Sequence, residues 1–165
     1  MWLHSLAGRI QELYRKRITE AEARLSKCHR VFFIGNGGSA AIASHIAMDW
    51  AKNKEQSAVA FNDASLLTCL SNDFGYEEVF RKALHLYPFT HHDALVAISS
   101  SGQSHNIINA ARYAMSEEGL VVTLSGFYPD NPLRSIGHMN FYVPSDSYGI
   151  VEITHLAILH SMVQV

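Results

Sequence analysis

Three apolar runs, Val31-Phe32-Phe33-Ile34, Ala94-Leu95-Val96-Ala97-Ile98 and Leu120-Val121-Val122-Thr123-Leu124, set the terms on which this chain can fold. None alternates with polar residues, so each predicts a strand buried on both faces, as in a parallel sheet covered by helices. Each run is closed by small residues: Gly35-Asn36-Gly37-Gly38-Ser39, Ser99-Ser100-Ser101-Gly102-Gln103-Ser104, and Ser125-Gly126. Helical stretches follow the first two loops, from Ala40 to Lys52 and from about Asn106 to Glu118. Shorter strands are expected at Ser57 to Phe61 and Asn140 to Val143. Further helices are expected at Ala64 to Ser71, at Tyr76 to Tyr87, and from about Ile150 to the end. The fold class predicted is α/β, a three-layer sandwich around a central parallel sheet of five strands.

Ahead of the first strand, Leu6, Ile10, Leu13, Ile18, Ala21 and Leu25 recur at helical spacing between charged residues, which predicts an amphipathic helix within residues 1–28. Its apolar stripe packs either on the domain or on a second copy, and the spacing does not choose. With 165 residues, 48% of them hydrophobic, the chain is expected to form one domain over residues 1–165. A net charge of -2 with no long basic run argues against nucleic acid or an anionic membrane as partner. No apolar stretch approaches the roughly 20 residues of a spanning helix, so a cytoplasmic protein is expected. Cys28 and Cys69 are expected as free, buried thiols.

In an open parallel sheet, ligands collect at the carboxyl ends of strands where the crossover order reverses, and both small-residue loops lie at such ends. Gly35 to Ala40 fits the G-x-G-x-x-A spacing of a dinucleotide-binding turn, but no acidic residue ends the next strand at the usual offset. The loop Ser99 to Ser104 offers four hydroxyls and backbone N–H groups at a helix N-terminus, which favours a phosphate dianion. A helix cap needs one serine; four within six residues exceed that need. A phosphate monoester is therefore the expected ligand.

His45 and Asp49 stand four apart and share one helix face, which suits a metal, a proton relay or a plain surface pair. Glu152, His155 and His160 interrupt an otherwise apolar last helix, where ionisable groups are costly unless partnered. Glu152 and His160 are eight apart, roughly 12 Å along a helix, so one ion is shared by both only if the helix starts late or two chains contribute. In Asn72-Asp73-Phe74-Gly75-Tyr76, Asp73 is either a helix cap or a substrate contact. His91-His92-Asp93 reads as an exposed turn.

These motifs, with Glu77-Glu78-Val79-Phe80 and the helix from Ile150 to His160, match in order and spacing those of the sugar isomerase (SIS) domain family. From about Val31 onward the chain resembles the phosphoheptose isomerases within it. The resemblance implies a flavodoxin-like five-stranded sheet, a homo-oligomer (tetramer or dimer) with sites at subunit interfaces, and conversion of D-sedoheptulose 7-phosphate into D-glycero-D-manno-heptose 7-phosphate. That product feeds heptose synthesis for lipopolysaccharide or capsule. It further implies a phosphate loop at Ser99, Ser100, Ser101 and Ser104, with sugar contacts at Asn36, Ser39 and Asp73. Asp49 and His160 fall on the general acid/base pair, and His45, Asp49, Glu152 and His160 on the zinc ligands of some members. Two positions depart from the pattern: Asp49 stands where a glutamate is usual, and Glu152 where a glutamine is. A second reading, from another class, is a non-catalytic SIS module that binds a phosphosugar or, as some relatives do, the replication initiator DnaA.

Overall fold

The computed structural model describes residues 2–164, with side chains from Tyr14 onward, so the expected stripe positions Leu6, Ile10 and Leu13 lie outside the described side chains. Five strands, β1 (Arg30–Ile34), β2 (Ser57–Ala60), β3 (Ala94–Ser99), β4 (Leu120–Ser125) and β5 (Met139–Tyr142), form one sheet. All neighbours run parallel, in the order β2-β1-β3-β4-β5. Six α-helices surround it: α1 (Trp2–Leu25), α2 (Gly38–Lys54), α3 (Ala64–Phe74), α4 (Val79–Leu86), α5 (His105–Ser116) and α6 (Tyr148–Gln164).

The apolar runs are continuous because each strand feeds two cores. Val31 and Phe33 join Ile46, Trp50, Ile158 and Leu159 on the face covered by α1, α2 and α6. Phe32 and Ile34 join Phe80, Leu84, Ile107 and Ala111 on the opposite face. At about 25 cal/mol per Å² of apolar area, burial on both sides of the central strands supplies the main favourable contribution to folding. The chain crosses from one side of β1 to the other between β2 and β3, so the loops after β1 and β3 flank the switch point of a 2-1-3-4-5 sheet.

Local chemistry sets the remaining boundaries. Asp63 caps α3 by accepting the Leu66 N–H at 2.9 Å. The helix then runs on to Phe74, so Asp73 sits in its last turn and is not a cap. The helix expected from Tyr76 splits into a 3-10 turn, Tyr76–Glu78, and α4, because Gly75 at φ 84° breaks the helical course before it. Two expectations about exposure are corrected. Cys69 is exposed, since Leu70 beside it takes the buried side of α3. Asp93 is buried, since Arg30 clasps its carboxylate at 2.7 and 2.9 Å and Thr90 donates to it from N and Oγ1. Among the described residues no helix is long and apolar enough to cross a membrane.

Candidate functional site

The loops after β1 and β3 enclose a cavity of about 230 Å³ lined by Asn36, Ser39, the serines 99, 100, 101 and 104, Tyr148 and Glu152. Ser39, Ser99 and Ser100 are at most 5% exposed. Ser99 Oγ meets Ser104 Oγ at 3.2 Å, and the Gln103 N–H donates to Ser101 Oγ at 3.2 Å. Ser104 stands at the N-cap of α5 without making a side-chain cap hydrogen bond. Ser100 Oγ is buried with no hydrogen-bond partner, which is costly for a hydroxyl unless a ligand oxygen satisfies it. The serines are therefore not spent on capping. The loop turns at Gly102, whose φ of 66° favours glycine and whose missing side chain leaves room for Asn131. Glu152 is the one charged lining residue among the described residues, and its carboxylate packs against Gly38 so closely that a Cβ there would collide with it.

Asn36 faces a second cavity of about 450 Å³, shared with Tyr76, Ser104, His105 and Asn106. Its side-chain amide exchanges two hydrogen bonds with that of Asn106, at 2.9 and 3.0 Å, and its Oδ1 accepts the Tyr76 hydroxyl at 2.8 Å. Asn106, 3% exposed, also accepts the Ile107 N–H. Asn106 and Tyr148 were not singled out from the sequence. Nothing local marks Tyr148, and Asn106 meets Asn36 only because β1 and β3 are neighbours. Asp73 lies apart from both cavities, exposed at the end of α3, with its carboxylate accepting the Asn72 side-chain amide at 2.9 Å.

Further along α2 and α6, His45, Asp49 and His160 converge, each offering a ligand atom within 4.8 Å of the others. His45 Nε2 lies 3.5 Å and His160 Nδ1 3.7 Å from Asp49 Oδ2, and the two imidazole Nε2 atoms are 3.2 Å apart. Two imidazole nitrogens and one carboxylate suit a divalent transition metal and leave a coordination position open. Glu152 does not join them. α6 is already regular at Tyr148, so Glu152 stays two turns away from His160, in the serine cavity. Between the two lies His155, fully buried, with Nε2 3.2 Å from the Ser125 carbonyl. Burial pulls its pKa down to about 4, partly offset by that hydrogen bond, so the ring is neutral at pH 7.

The sheet order and the small-residue loops at its switch point define an α/β protein built to hold a ligand at the carboxyl ends of β1 and β3. Comparison with known proteins sharpens this. The SIS domain family model matches residues 9–126. The phosphoheptose isomerase of Campylobacter jejuni is 30% identical over an alignment 172 positions long, covering 98% of this chain and 91% of that protein. That of a Bradyrhizobium strain is 37% identical over 143, covering 81% and 70%. The solved phosphoheptose isomerase of Neisseria gonorrhoeae superposes with a TM-score of 0.88 at 27% identity, over 97% of this chain and 90% of that one. The chain belongs to the SIS domain family and, within it, to the phosphoheptose isomerases.

Proposed function

We propose that the chain isomerises D-sedoheptulose 7-phosphate to D-glycero-D-manno-heptose 7-phosphate, acting over its whole length as one domain. The observation that carries this reading is the shared scaffold. α2 and α6 each present a residue to the serine cavity, Ser39 and Glu152, and further along present His45, Asp49 and His160. A phosphate cradle walled in part by the two helices that carry an acid/base group is what a sugar-phosphate isomerase requires.

The phosphate is held by the hydroxyls of Ser99, Ser100, Ser101 and Ser104 and by the N-terminus of α5, with Ser100 Oγ satisfied by one of its oxygens. Asn36, fixed by Asn106 and Tyr76, and Ser39 contact the sugar, with Asp73 supplied across an interface. In the chemical step a base takes a proton from C1 of the ketose while an acid protonates O2, giving the enediol. A proton then enters at C2 as O1 loses its own, leaving the aldehyde. Asp49 and His160 exchange these protons. His45, Asp49 and His160 would hold a zinc ion, and Glu152, which in its own chain lies in the serine cavity too far from His160, would reach it only from a second copy. When bound, the zinc would stabilise the negative charge that develops on the substrate oxygens.

The test is incubation with sedoheptulose 7-phosphate in deuterated buffer, after dialysis against a chelator and again with zinc restored, following the sugar protons by NMR. Product with solvent deuterium at C1 or C2, lost on chelation and recovered with zinc, is expected. Binding of the sugar phosphate without turnover would overturn the enzyme reading in favour of a non-catalytic sugar-phosphate module.

A further inference from the structure

A cavity of about 510 Å³, larger than either cavity at the serine loop, opens beside edge strand β5 and is lined by Tyr14, Arg17, Arg134, Asn140, Tyr142 and Pro144. Among the described residues it shares no lining residue with the other two. An open strand edge invites another strand, but here the Tyr14 hydroxyl donates to the Tyr142 carbonyl and Pro144 follows two residues on, which disfavours strand addition at that end of β5. A cavity with two cations remains. The Arg134 guanidinium lies over the Tyr142 ring, 4.2 Å from its centroid, and donates through Nη1 to the Pro129 carbonyl at 2.5 Å. The Arg17 guanidinium lies 5.7 Å from the centroid of the neighbouring Phe141 ring. Among the described residues neither arginine pairs with a carboxylate. Burial raises the Tyr14 pKa, and the positive charges of Arg17 and Arg134, which line the same cavity, partly offset the rise.

We propose that Arg17 and Arg134 form a second anion site, separate from the serine loop, that takes a small organic phosphate. Each guanidinium offers a planar fork of donors, and a phosphoryl group has enough terminal oxygens to receive both, where a single carboxylate is used up by one. Contact with the Tyr142 and Phe141 rings fixes the forks beforehand, so less rotamer freedom is lost on binding. Asn140, anchored by donation to Thr123 Oγ1 at 2.8 Å, gives the site a fixed polar wall. Arg17 belongs to α1 and Arg134 to the 3-10 turn before β5, so an anion held by both ties the first helix to the sheet edge.

Calorimetric titration of the full chain with inorganic pyrophosphate tests this independently of any isomerase activity. In Ser101→Asp, where a carboxylate repels anions from the serine loop, about one pyrophosphate per chain is expected to bind still. Adding Arg17→Met and Arg134→Met to that variant is expected to weaken the remaining binding at least tenfold. Arg134→Lys, which keeps the charge and breaks the fork, is expected to weaken it several-fold at an unchanged melting temperature, and this variant decides the matter if the arginine-free protein fails to fold. Loss of all binding in Ser101→Asp, or binding indifferent to both arginines, would overturn the proposal.

Discussion

The serine cavity, formed mainly by the loops after β1 and β3, and the histidine cluster, formed by α2 and α6, are built in opposite ways. Ser39, Ser99 and Ser100 are at most 5% exposed, and their positions follow from loops that leave the central strands β1 and β3. His45, Asp49 and His160 keep side-chain exposures of 54, 23 and 33%, and they meet only where α2 packs on α6. Exposed pairs at 3.5 Å and beyond contribute at most about 1 kcal/mol to stability. What holds α2 on α6 is apolar: Ile42 and Ile46 on one helix, Ile158 and Leu159 on the other, within one core. The cluster is thus free to serve chemistry, while the cavity is part of the fold. In the proposed mechanism, binding falls to the buried loops and proton transfer to the more exposed cluster.

Three measurements test that difference. The largest effect is expected from His160→Ala, on the order of a thousandfold in kcat with little change in KM, because the proposed mechanism would lose a proton-transfer partner and keep its cradle. Unchanged turnover in steady-state assays would remove the cluster from the mechanism.

His155 tests the scaffold common to both regions. Its pKa is about 4 in the fold against 6.5 for the free side chain, so below about pH 6.5 the unfolded chain takes up a proton that the folded chain refuses. Stability should therefore fall by about 3 kcal/mol as pH drops from 6.5 to 4, by the usual 1.36 kcal/mol per pKa unit. Urea denaturation across that window should show the slope, and His155→Gln should flatten it. An equal slope in the variant would mean that other groups cause it.

The smallest of the three is Ser101→Ala, expected to raise KM about tenfold while lowering kcat less, as for loss of one hydrogen bond to a charged ligand. A drop in kcat as large as that of His160→Ala would erase the division between binding loop and chemical cluster.

The contrast also explains which parts were legible beforehand. The serine loop could be read because everything it needs is contiguous: an apolar run, four hydroxyls within six residues, and a helix start. His45 and Asp49 could be paired by their spacing of four, but nothing local brings His160, 115 residues from His45, to them. Asn36 was visible in its glycine turn, whereas Asn106, which holds its amide, was not. Asp93 looked like part of an exposed turn because its partner Arg30 lies 63 residues earlier.

By itself the sequence determined the five parallel strands, the loops at their ends and the helix face carrying His45 and Asp49, since continuous apolar runs, glycine and serine clusters and a four-residue spacing are local properties that steric and burial rules translate directly. Only the tertiary structure decided that β1 lies beside β3, that α2 lies on α6, and that Glu152 and His160 of one chain face different sites. Those pairings join residues far apart in the chain, and the energy that selects them comes from burying both faces of the sheet at once, which no single segment encodes.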